Sequence, residues 1–136
     1  MKKILVLLLP LMVALTTACS SGDKLDGFID EMNSEFPAKI ANGLEIVKAY
    51  RTPNAVVIKV DVDESILGSD IMDLVAINFA ISETSMTNDL IESFKADEKT
   101  SEFLEVLAEK QMDLTFTFVG NQSGKDVSFS VSHTDL

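Results

Sequence analysis

Two stretches with a two-residue hydrophobic period stand at opposite ends of a helical middle, and together they leave few ways to fold. In AVVIKVDVD, residues 55–63, Val56, Ile58, Val60 and Val62 share one side while Val57, Lys59 and Asp61 take the other. Near the C-terminus Leu114, Phe116 and Phe118 alternate with Thr115 and Thr117, and Val127, Phe129 and Val131 alternate with Ser128, Ser130 and Ser132. Successive side chains of a strand point to opposite faces, so this pattern predicts half-buried strands. GNQSGK, residues 120–125, supplies the turn between the last two. LEIVKAYR, residues 44–51, is strand-like, and Pro53 with Asn54 offers a turn into residues 55–63, giving a first hairpin.

Elsewhere the period is helical. Leu25, Phe28, Ile29, Met32 and Phe36 fall on one helical face until Pro37 interrupts it. Residues 66–82 are apolar around most of a helical wheel, predicting a helix largely enclosed by the domain; Asp70 and Asp73 interrupt it as a membrane segment. Leu90, Ile91 and Phe94 suggest another helix. A further one, N-capped by Asp97, carries Phe103, Leu104, Leu107, Ala108 and Met112. The expected fold is α+β: an N-terminal helix, a β-hairpin, central helices and a C-terminal β-hairpin, forming one antiparallel four-stranded sheet with helices on one face.

The start of the chain concerns address. Met1-Lys2-Lys3 precedes an apolar run from Ile4 to Leu15, about twelve residues where a bilayer crossing needs about twenty. A positive start, a short apolar run and small residues before a cut mark a secretory signal peptide. The only cysteine, Cys19, follows immediately in LTTACSS, residues 15–21. Thr16-Thr17-Ala18-Cys19 resembles the lipobox of bacterial lipoproteins, although that family usually has an aliphatic residue where Thr16 stands. The resemblance implies removal of residues 1–18, a diacylglycerol thioether on Cys19 and a further acyl chain, such as palmitate, on its amine. Two or three such chains anchor durably where one holds marginally. Ser20, in place of the aspartate that retains some lipoproteins at the inner membrane, favours the outer membrane. Ordinary cleavage after Ala18, leaving a free thiol, is the alternative. Residues 19–24 would then be a lipidated cysteine and short tether, at most about 17 Å beyond the cysteine, and residues 25–136 a single domain.

Removal of the leader takes Lys2 and Lys3 from the 11 basic residues and leaves 9 against 22 acidic ones, a formal charge of −13. Such a surface repels phosphate backbones and anionic headgroups, which excludes nucleic acid as a partner and leaves the lipid as the route to the membrane. With no second cysteine there is no internal disulfide, so apolar burial must hold the fold.

The catalytic inventory is thin. His133 is the only histidine, two residues from Asp135, and no GxSxG elbow accompanies it. DVDES, residues 61–65, begins like a calcium loop, but Ile66 and Met72 stand where an EF-hand needs glycine and glutamate. Phosphate-binding glycine loops and Cys/His zinc spacings are absent, so neither cofactor nor metal is expected and the chain reads as a non-enzyme. Two surfaces remain. Thr115, Thr117, Ser128, Ser130 and Ser132 form a hydroxyl-bearing strand face that suits either ligand or solvent. Glu98, Glu102, Glu105 and Glu109 form a helical stripe opposite Phe103, Leu104 and Leu107, able to meet a basic protein. The resulting expectation is a lipid-anchored envelope binding module. An inhibitor or immunity-type lipoprotein blocking a basic partner is the alternative, and a small hydrolase acting through carboxylates the third.

Overall fold

The computed structural model describes residues 24–136. In chain order its elements are α1 (Lys24–Ser34), β1 (Ala38–Ala41), β2 (Leu44–Arg51), β3 (Ala55–Val62), α2 (Glu64–Leu67), α3 (Ile71–Lys95), α4 (Glu98–Glu109), β4 (Asp113–Gly120) and β5 (Asp126–Val131), then a 3-10 turn at His133–Asp135. The strands form one sheet in the order β1-β2-β3-β4-β5. The class is α+β as expected, but the sheet has five strands and is mixed. β3 and β4 lie side by side in parallel, from Ala55 opposite Asp113 to Val62 opposite Gly120, while every other neighbouring pair is antiparallel.

Both predicted hairpins form. Leu44 pairs with Val62 and Arg51 with Val56; Leu114 pairs with Val131 and Phe116 with Phe129. A bulge between Ile46 and Lys48 leaves Val47 as an extra residue, so Ile46 and Ala49 both turn inward. The short β1 pairs only with the beginning of β2. Beyond it, the Asn33 side chain of α1 takes the place of a neighbouring strand: its Nδ2 donates to the Ala49 carbonyl and its Oδ1 accepts from the Ala49 N–H, both at 2.8 Å. Two backbone groups at an otherwise open edge are thereby satisfied.

The helices cover one face of the sheet. Val56, Ile58, Val60 and Val62 of β3, Leu114, Phe116 and Phe118 of β4, and Phe129 and Val131 of β5 are all buried. Against them lie Leu25, Phe28 and Met32 of α1, Met72 and Phe79 of α3, and Phe103, Leu104 and Leu107 of α4. Phe28 meets Phe103 edge-on at 5.6 Å, and Phe79 stands 5.3 Å from Phe118 and 5.5 Å from Phe129. Such pairs add about 0.5–1.5 kcal/mol beyond area burial. On the open face Thr115 bonds Ser130 at 2.8 Å and Thr117 bonds Ser128 at 3.0 Å, hydroxyl to hydroxyl across the strands.

The middle of the chain departs from expectation in two ways. Residues 71–95 form one continuous 25-residue helix in place of two, the polar run from Ser82 to Asn88 continuing the helix as a solvated segment. Nor is its first half enclosed: α3 buries only Met72, Phe79, Met86, Leu90 and Phe94. The cap at Asp97 forms as predicted, its Oδ1 accepting from the N–H of Lys99 at 2.9 Å and of Thr100 at 3.2 Å. The fully buried Thr100 hydroxyl donates to the Phe94 carbonyl and joins α3 to α4.

Candidate functional site

The outer face of α3 carries the largest departure from ordinary burial. Leu74 is 53 % exposed, Ile77 54 % and Ile81 78 %. At about 100° per residue these three cluster on one stripe, about 180° from the stripe of Met72, Phe79, Met86, Leu90 and Phe94 that faces the core. Ile66 and Leu67 of α2 are exposed as well, but they lie by Gly43 at the β1–β2 turn; along α3 the apolar stripe stops forward at Ser85 and Asn88. It is therefore confined to the first three turns of the helix. Asp70 and Asp73 stand at its N-terminal end and Asp89 and Glu92 beyond its C-terminal end; Asp73 meets Lys125 at 3.4 Å.

The predicted acidic stripe lies on α4. Glu98, Glu102 and Glu105 line a shallow hollow of about 420 Å³ with Lys95 and Ser101, while Glu109 lies in an adjoining one of about 370 Å³ with Leu104, Ala108 and Leu136. The four are thus brought onto one side of α4, not into one cleft. Glu102 is ion-paired to Lys24 at the start of α1, so a cation of the domain itself already occupies part of the stripe.

His133 meets Asp113, not its sequence neighbour Asp135. Its Nδ1 is 2.9 Å from Oδ1 of Asp113, and its backbone N–H donates to the same oxygen at 2.9 Å. A carboxylate can only accept, so Nδ1 carries the proton. The backbone N–H of His133, and then its ring, hold the Asp113 carboxyl below the usual carboxylate range. The pair ties the C-terminal turn to the start of β4.

DVDES is likewise absorbed by local structure. Asp63 caps α2, its Oδ1 accepting from the Ser65 N–H at 3.0 Å and from Asn121 Nδ2 at 3.3 Å; the Ser65 hydroxyl is the main cause of its lowered pKa. The buried Glu64 turns under the β4–β5 connection, where Oε1 accepts from the N–H of Ser123 at 2.7 Å and of Gln122 at 2.8 Å. Those two amides, Ser123 first, depress its pKa. Gly120 makes the clasp possible, because a Cβ there would lie 2.5 Å from that oxygen. Among the described residues no group of three or more His, Cys, Asp or Glu is placed to hold a metal ion, and no helix is long and apolar enough to cross a membrane. Cys19 and the lipobox lie outside the described residues.

Sequence reasoning missed the outer face of α3, because apolar residues all around a helical wheel signal enclosure. The polar positions Asn78, Ser85 and Asn88 on that side were the available sign that it meets solvent in the folded monomer.

No protein-family model matches the chain, and no curated protein sequence matches it significantly. Its fold is similar to that of two solved structures. One is a protein of Pseudomonas aeruginosa described as secreted, with a TM-score of 0.60 and 11 % identity over 82 % of this chain and 88 % of that one. The other is the pilotin of the type 2 secretion system of Vibrio vulnificus, with a TM-score of 0.50 and 9 % identity over 82 % of this chain and 86 % of that one.

Proposed function

We propose that this chain is a lipid-anchored, non-catalytic protein of the bacterial cell envelope that acts by binding another protein. Residues 1–18 are its signal peptide, Cys19 carries the lipid, residues 25–136 form the single working domain, and the outer membrane is its site. What supports this reading is sequence distance: Cys19 stands five positions before Lys24, which is already part of the folded domain, and five residues reach at most about 17 Å. Anything the domain binds is therefore held beside the membrane.

The polar groups of the domain favour binding over chemistry. The carboxylates of Asp63, Glu64 and Asp113 each commit one oxygen to backbone N–H groups and so hold turns together. The likeness to a secretion-system pilotin and to a secreted protein agrees with an envelope role. The test is incorporation of labelled fatty acid with partition into detergent, both of which Cys19→Ser should abolish. A Cys19→Ser protein still labelled and membrane-bound would overturn the anchor. Crosslinking in intact cells should capture a protein partner, and capture of none would overturn the binding role.

The acidic stripe favours a second reading, an inhibitor or immunity-type lipoprotein that blocks a basic protein through Glu98, Glu102, Glu105 and Glu109. Its mark would be a captured partner whose binding weakens when the four become Gln and as salt rises, since exposed charges are screened over about 8–10 Å.

A further inference from the structure

Burial of the α3 inner stripe accounts for Met72, Phe79, Met86, Leu90 and Phe94, but nothing within the described domain uses Leu74, Ile77 and Ile81. Isolated exposed aliphatics are ordinary; three on adjacent turns of one helix, opposite its core face, form a patch. A helix needs only one apolar face to pack on a sheet, and here the second is built from Leu and Ile where Glu, Lys or Gln would serve helix stability as well.

Charge decides among the occupants. The helix carries Asp73, Glu83, Asp89 and Glu92 against one base, Lys95; Asp70 precedes it, and of these acids Asp73 is met by Lys125 of the β4–β5 connection, within a chain of formal charge −11. A second copy would bring the same carboxylates against these, and like charges across an interface are repulsive. An anionic lipid surface is repelled for the same reason. A chain that offers apolar side chains between basic ones satisfies both features of the patch at once.

We infer that the outer face of α3, centred on Leu74, Ile77 and Ile81, docks a cationic amphipathic helix of a partner protein, whose apolar stripe covers the three aliphatics while flanking Lys or Arg residues meet the acids at either end. This rests on the protein-binding role proposed above and names its surface. Two amphipathic helices packed face to face meet through apolar side chains at spacings of three and four, the spacing of 74, 77 and 81.

The experiment uses the lipidated full chain in nanodiscs of neutral phosphatidylcholine, with empty discs as background. The probe is an 18-residue peptide with leucines along one helical stripe and lysines on either side. The expected result is saturable binding above background, at least about tenfold weaker for Leu74→Ser/Ile77→Ser/Ile81→Ser, whose three sites are exposed. Should the triple variant fold poorly, Ile81→Lys alone, at the most exposed of the three positions, should give the same loss. A matched peptide with glutamates for lysines, and one with the leucines scrambled, should each bind at least about tenfold more weakly. Equal binding to wild type and folded variant, or equal binding of either control peptide, would overturn the inference. So would a wild-type dimer in sedimentation that the triple variant dissociates, since a second copy would then be the occupant. Fatty-acid labelling and cellular crosslinking are independent of these readouts, so failure here leaves the envelope binding role standing.

Discussion

The two longer helices of the mid-chain treat solvent in opposite ways. α4 turns Phe103, Leu104 and Leu107 inward and Glu98, Glu102, Glu105 and Glu109 outward, so its amphipathic pattern is complete within the domain. α3 also turns an apolar stripe inward, yet its outer face is apolar again over three turns. Carboxylates in water cost a helix only a few tenths of a kcal/mol through i,i+4 repulsion. Outward Leu and Ile side chains, half or more exposed, leave unrealised a large part of the about 1.5–3 kcal/mol each that full burial supplies. The acidic helix is thus amphipathic within the domain, whereas the long one keeps an apolar face in solvent.

The sharpest way to break that contrast is to put the same charge on both sides of α3. Phe94→Asp, at a fully buried position, should destabilise the domain by several kcal/mol and abolish a cooperative melt, because it buries an unpaired carboxylate. Ile81→Asp should shift the melting temperature little. Equal losses would show that the outer face is packed in solution.

The joint between the two helices is the next place to press. Asp97→Ala removes the acceptor for two N–H groups at the start of α4 and should cost about 1 kcal/mol in denaturant unfolding. If it costs nothing, α4 is held by its inner face alone.

Carboxylates that hold structure can also be separated from those that only face water. The carboxyls of Glu64 and Asp113 are held below their ordinary range in the folded state. Their stabilising effect is therefore present above the unfolded value, about 4, and is lost as pH falls through the lower folded value. Glu64→Ala and Asp113→Ala should each lower the melting temperature near neutrality and lose less of it on acidification than wild type. Parallel pH profiles would show that neither contact contributes.

The smallest expected effect belongs to the stripe. Changing Glu98, Glu102, Glu105 and Glu109 to Gln should preserve folding or raise stability by a few tenths of a kcal/mol as repulsion falls. A marked loss would mean that the Lys24 pair with Glu102 holds α1 in place.

Much of this was legible in residue patterns. Alternation in Val56, Ile58, Val60 and Val62, and again in Leu114, Phe116 and Phe118, marked strands and their inward faces, and Asp97 marked a helix start. What alternation does not encode is which strand lies beside which, so two hairpins were visible but their parallel junction was not. β1 was hidden because four residues, Ala38–Ala41, are too few to show a period. The polar run from Ser82 to Asn88 read as a break because periodicity follows burial, and this part of α3 is mostly exposed. The partner of His133 was not legible, since Asp113 reaches it only through the register of β4 and β5.

The parallel junction also governs the order in which the chain can assemble. Every residue pair from Ala55–Asp113 to Val62–Gly120 joins positions 58 apart, so these contacts form only after a long loop closes, whereas the hairpins on either side are local. β3 must wait with one edge unpaired until β4 is available. Docking the two hairpins should therefore set the folding rate. Conservative truncations at the junction, such as Ile58→Val and Leu114→Ala, should slow folding, while truncation at Ile40 should mainly speed unfolding. The reverse pattern would place the nucleus at the β1–β2 pair.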